Sequence, residues 1–117
     1  MSRGARTPEE LETLLEDAFI TRDRTALRAL FDEGAVLAPA DAPEARGGAA
    51  IARAGAALWA GGRTYVGGRA RVLQARATAL VVAPAGIHVA RRAGDGTWRV
   101  AIALLDPLSH IAPRRTP

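Results

Sequence analysis

Few side chains in this 117-residue sequence are equipped for chemistry, so each can be weighed on its own. There is no cysteine, which removes disulfides and thiolate metal ligands together and leaves the redox compartment undetermined. His88 and His110 share no local spacing that would gather three ligands, so no metal is expected. His88 stands between Ile87 and Val89 in a run that reads as strand. An imidazole facing a pocket there can donate a hydrogen bond or shuttle a proton near neutral pH. Apolar neighbours on both sides leave its direction open, and the plainer reading is an outward-facing or interface histidine with a satisfied hydrogen bond. Asp41 sits in a proline-rich loop and is the second candidate for proton transfer, as a base, if it reaches a substrate; otherwise it is a solvated loop aspartate. Asp106 either borders the same pocket or simply ends a strand together with Pro107. Arg46, just before Gly47-Gly48, either meets an anion at a helix start or pairs with Glu44 or Asp41. No glycine-rich phosphate loop follows a strand, so nucleotide binding has no support and no cofactor is expected.

The elements that must carry these residues are legible in outline. Thr7-Pro8-Glu9-Glu10 is a helix start with a capping residue, a proline in the first turn and Glu10 completing a capping box. Leu11, Leu14, Leu15, Ala18 and Phe19 then form one apolar stripe, with Glu9, Glu12, Glu16 and Asp17 over the remaining surface. Asp23 caps a second helix whose face is Leu27, Leu30 and Phe31, and Gly34 is placed to close it in a left-handed conformation. Ala35-Val36-Leu37 make a short strand. Pro39 and Pro43 forbid regular structure from Ala38 to Arg46. A third helix runs from about Gly48 to Trp59, with Ile51, Leu58 and Trp59 on one face and the small Ala54 and Gly55 permitting close approach.

Strand patterns fill the rest: Arg63 to Ala75 with a bend at Gly67-Gly68, Ala77 to Ala83, Ile87 to Arg92, and Thr97 to Leu105 after the hairpin signal Gly94-Asp95-Gly96. In the last strand, Trp98, Val100, Ile102 and Leu104 are expected on one face and Arg99, Ala101, Ala103 and Leu105 on the other. Helices followed by a meander indicate an α+β domain, with helices on one face of a mainly antiparallel sheet. Residues 7–107 form the expected domain, between tails at 1–6 and 108–117. A sheet partly apolar on both faces needs cover on both, and a second copy of the chain is the expected cover for the face without helices, giving a homodimer.

Composition narrows the partners. All 16 basic residues are arginine, in a sequence rich in alanine and glycine, which is read as genomic codon bias. The formal charge of +4 conceals ten acids and five arginines up to residue 44, against two acids and eleven arginines after it. Acidic helices beside an arginine-bearing sheet account for that split. A basic face made of Arg69, Arg71, Arg91 and Arg92 is the sharper alternative. Aromatic residues, at 4%, are too few for a single-strand stacking platform, and no nucleic-acid partner is expected. No apolar run approaches the roughly 18 residues of a membrane span, and residues 1–6 lack a signal-peptide core. No membrane association is expected, and the cytoplasm is the default location.

The order and spacing of Asp23-to-Phe31, Asp32-Glu33-Gly34-Ala35-Val36-Leu37, Gly47-Gly48-Ala49-Ala50-Ile51 and Asp95-Gly96-Thr97-Trp98-Arg99-Val100 resembles the nuclear transport factor 2-like superfamily, nearest its SnoaL-like and ketosteroid-isomerase-like branches. The resemblance covers roughly residues 7–107. It implies a cystatin-like α+β roll: three N-terminal helices in a strongly curved sheet, an apolar pocket between them, and dimers through the outer sheet surface. In the isomerase branch the general base would fall at Ala38 or Pro39, the oxyanion-hole tyrosine at Leu15, and the second, buried acid at His88. Only His88 keeps an ionisable group, so steroid isomerisation is not expected. The expected ligand is a small apolar molecule lined by Leu15, Phe19, Pro39, Leu58, Trp59, Tyr65 and Ile102, with Asp106 at the rim. The expected chemistry, if any, is cofactor-free isomerase, cyclase or lyase work by His88 and Asp41. A non-catalytic interaction module is the alternative, favoured by the absent carboxylate at Ala38-Pro39.

Overall fold

In the computed structural model, residues 4–40, 42–60, 69–84 and 86–106 are described. Helix α1 spans Pro8–Thr21, and the Thr7 side chain accepts the Glu10 N–H at 3.0 Å. The Glu10 carboxylate accepts from the Arg6 N–H. The helix stops where Arg22 turns left-handed and its N–H reaches the carbonyls of Ala18 and Phe19. One residue on, Asp23 accepts the Ala26 N–H at 3.0 Å and starts α2, Arg24–Ala29.

Helix α2 is shorter than its apolar spacing predicts. Phe31 opens strand β1, Phe31–Ala38, rather than extending the helix, and Gly34 lies within that strand instead of closing α2. The cause is tertiary. The Val100 N–H donates to the Leu30 carbonyl at 2.8 Å, which draws the chain into the sheet. The proline-rich loop also holds more order than expected, because Ala45–Arg46 pairs with Leu37 and Val36 as a short strand, β2. Gly47, at φ +85°, then turns the chain into α3, Gly48–Ala60.

Strands β3 (Arg71–Ala75), β4 (Thr78–Ala83), β5 (Gly86–Arg92) and β6 (Trp98–Leu105) complete a six-stranded sheet in the order β2-β1-β6-β5-β4-β3. Every pairing is antiparallel except β1 with β6, which is parallel. The expected bend at Gly67-Gly68 lies outside the described residues. The start of the chain, expected to be a tail, adds to the sheet: Ala5 is fully buried and bridges Trp98, whose N–H donates to the Ala5 carbonyl at 2.8 Å. The Arg92 guanidinium lies 5.7 Å above the Trp98 ring.

Two irregularities set the faces. On β6, Ile102 pairs with Val89 but Val100 pairs with Ala90, so Ala101 is an extra residue, a bulge. On β1, Phe31 pairs with Val100 and Val36 with Ile102, which leaves three more residues on β1 than on β6. The expected alternation of β6 therefore breaks at Ala101. Trp98, Val100, Ala101 and Ala103 are buried, and Ile102 is 53% exposed. Helix α1 packs against β4 and β6, and α2 and α3 pack against β1 and each other, so one face of the sheet is covered. Its core includes Leu11, Leu27, Ile51 and Val100, none of them with any exposed surface. Each such side chain contributes about 1.5–3 kcal/mol. Gly55 makes the closeness of α2 and α3 possible: a Cβ there would lie 2.6 Å from Leu27 Cδ2.

Candidate functional site

His88 is on the covered face. The lateral row Val81, His88, Ala103, Leu37 crosses β4, β5, β6 and β1, and all four side chains are buried. The row turns its side chains toward α1, where Glu12 Oε1 lies 3.8 Å from His88 Nδ1. That is beyond hydrogen-bond length but within the range of charge attraction. His88 Nε2 is buried and has no hydrogen-bond partner among the described residues.

Two influences act on the imidazole in opposite directions. The Glu12 carboxylate favours the protonated ring, and burial opposes it. Burial prevails, and the His88 pKa falls from 6.5 to about 4. At neutral pH the ring is uncharged. In the tautomer whose N–H points toward Glu12, at Nδ1, Nε2 is a buried acceptor without a partner among the described residues. A base of this pKa has little driving force for proton abstraction at pH 7. As a hydrogen-bond acceptor it is fully available.

Glu12 is the residue that pattern reading missed. It was assigned to the polar surface of α1, yet its side chain is only 16% exposed. The signal was present: Glu12 falls in line with Pro8, Leu15 and Phe19 at helical spacing, an acid inside an apolar row.

The other candidates divide. Leu15 is buried in the core cluster that also contains Leu37, Ala103 and Trp59, and Phe19 packs against that cluster. Phe19 meets Trp59 edge-on, with ring centroids 6.0 Å apart and planes at 84°. Trp59 is buried, and its Nε1 also has no partner among the described residues. Pro39 is buried and Leu58 half-buried. Ile102 does not line this interior, because the bulge at Ala101 turns it to the opposite face. Asp106 is half-buried just past β6, with a left-handed backbone at φ 48°. Asp41 and Tyr65 lie outside the described residues. Arg46 bonds Glu44 at 2.9 Å on the surface, the ordinary pairing among its two readings. Among the described residues, no group of three His, Asp or Glu could hold a metal, and no helix is long and apolar enough to cross a membrane.

The opposite face carries its own row. Leu73, Leu80, Val89, Ile102 and Val36 lie side by side across five strands, with Val82, Ile87 and Leu104 in the next row. Leu73, Leu80, Val82 and Ile102 are exposed. Beyond them Arg91 and Arg99 pair across β5 and β6, Arg91 lying 3.8 Å from Asp32 and Arg99 3.5 Å from Asp95.

No family model matches the sequence, and no curated protein matches it. Solved structures do. A nuclear transport factor 2-like protein with a cystatin-like fold from Novosphingobium aromaticivorans is similar at TM-score 0.65 and 24% identity, over 81% of this chain and 75% of that one. A ketosteroid isomerase-like protein from Erwinia carotovora atroseptica is similar at TM-score 0.66 and 19% identity, over 82% and 89%. ActVI-ORFA from Streptomyces coelicolor is similar at TM-score 0.61 and 15% identity, over 83% and 91%. The chain shares the cystatin-like α+β fold of these structures, the fold its sequence resemblance implied. At these identities the likeness speaks for the fold alone.

Proposed function

We propose that this chain, a nuclear transport factor 2-like protein by fold, holds a small, mostly apolar molecule between α1, α3 and the covered face of the sheet. A polar group of that molecule sits on His88 Nε2. The observation that carries this reading is an imidazole 8% exposed, set among apolar side chains, with one nitrogen toward Glu12 and the other without a partner. A buried polar atom without a partner is uncommon in a folded protein, and a ligand hydroxyl would satisfy it. A ligand hydroxyl can donate to Nε2 when the ring proton is on Nδ1, the nitrogen nearer Glu12. Cofactor-free proton transfer requires the ligand to raise the basicity of His88.

A naphthol serves as probe. Titrated into 15N-labelled protein, it is expected to shift amide resonances in α1, α3 and β5, and His88→Leu should weaken binding about tenfold, the value of one buried hydrogen bond. Equal affinity in the variant, or shifts confined to the open sheet face, would overturn the reading.

A second reading rests on a different observation, the exposed row of Leu73, Leu80 and Ile102. We propose that a second copy of the chain covers this row, so that the molecule is a homodimer whatever its interior does. An apolar surface of this kind on a small domain marks an interaction site. Light scattering after size exclusion tests it, and a monomeric mass at micromolar concentration would exclude it.

A further inference from the structure

The lane beside β6, on the side that faces β1, is filled by two separate parts of the chain. From Phe31 onward it holds β1, and the Leu30 carbonyl accepts the Val100 N–H at 2.8 Å. One step earlier on β6 the neighbour is Ala5, in an antiparallel bridge, and its carbonyl accepts the Trp98 N–H at 2.8 Å. Ala5 occupies a strand position without belonging to a strand.

The slot is selective for what it holds. Ala5 is wholly enclosed within the core cluster, so its neighbours leave room for a methyl group. A Cβ at residue 4 would collide with Thr97 Cγ2 and stand 2.7 Å from Thr97 Cβ. Thr97 is pinned, because its hydroxyl donates to Asp95 Oδ1 at 2.6 Å. Only glycine fits there. Backbone bonding that holds and side-chain room that selects are the two parts of recognition by strand addition.

The hold is also short. A single bridge ties this segment to β6, whereas β5 is paired to β6 through seven residues. The next residues bond elsewhere: the Arg6 N–H donates to the Glu10 carboxylate, and Thr7 caps α1. The helix start therefore keeps its own contacts when residues 4 and 5 leave.

We propose that the slot beside Trp98 is a strand-docking site, covered by residues 4–6 as a releasable strap, and that its partner is an extended peptide segment with Gly-Ala at the two places of Gly4 and Ala5. This inference is independent of what the interior holds.

The test uses the full chain. Gly4→Val should push the strap off β6, and the Trp98 amide should then exchange with solvent at least about tenfold faster. A synthetic peptide with the sequence of residues 2–7 is the probe. A tether of this length acts as a local concentration in the millimolar range, so millimolar peptide is needed to replace the strap. It should restore the slow exchange at Trp98 in Gly4→Val. The same peptide with valine in place of its glycine should not, and the native chain, whose slot is filled, should not bind the peptide. Unchanged Trp98 exchange in Gly4→Val overturns the inference, and so does failure of the peptide to restore it. Equal rescue by the valine peptide, or equal binding to the native chain, overturns the selectivity on which the inference rests. Loss of the cooperative urea transition in Gly4→Val overturns it as well, because the segment is then part of the core and no strap.

Discussion

The two faces of the sheet are built from the same kinds of residue and meet opposite fates. On the covered face Val81, Ala90, Val100 and Ala103 are buried beneath the helices, with His88 set among them. On the open face Leu73, Leu80, Val82 and Ile102 are as apolar and stand exposed. Composition cannot tell these surfaces apart; only the helices do. Val100 and Ile102 make the contrast sharpest. They are two residues apart on one strand, where regular pleating would put them on the same side, yet the bulge at Ala101 sends them to opposite faces.

The largest effect should come from that pair. Val100→Asp buries a charge without a partner and should cost more than about 4 kcal/mol, enough to abolish a cooperative urea transition. Ile102→Asp should leave the monomer fold within about 1 kcal/mol while halving the mass seen by light scattering. If both variants unfold alike, the assignment of faces is wrong.

Next in size is the acid response of the covered face. The unfolded chain protonates His88 near pH 6.5, and the folded chain only near pH 4. Between those values the unfolded state binds the extra proton, so stability must fall as the pH falls. The loss reaches roughly 3 kcal/mol below pH 4. Urea midpoints measured from pH 7.5 to pH 4 should show this decline, and His88→Leu should remove it. An unchanged slope in the variant would assign the decline to the carboxylates. Among the described residues the open face carries no histidine.

The smallest effect concerns the cover itself. Thr7→Ala removes the cap of α1 and should cost about 1 kcal/mol. Amide exchange should quicken in α1 before it does in β3, because α1 packs on β4 and β6.

How much of this was legible follows from where the forces are local. Thr7 and Asp23 announce helix starts because a cap acts within four residues, and both act as expected. The Gly94-Asp95-Gly96 hairpin is local too: Asp95 accepts from both the backbone N–H and the hydroxyl of Thr97. The end of α2 was misjudged because it is decided by Val100, some seventy positions away. Ile102 was misplaced because a bulge leaves no periodic trace in a strand whose residues are apolar on both sides. His88 was singled out by type, but its direction needed the register of three strands. Glu12 was hidden by the rule that acids belong on helix surfaces, although its place in line with Leu15 and Phe19 marked it as an exception.

The grip on Trp98 has a practical side. Ala5 holds the Trp98 backbone and the Arg92 guanidinium lies over its ring, while Trp59, the other of the chain's two tryptophans, lies in the interior. The molecule thus carries two native fluorophores, one reporting on the clasp and one on the interior. Trimming the first five residues should redden the emission of the first and leave the second unchanged, so that undocking of the chain's start can be followed optically without attaching any label.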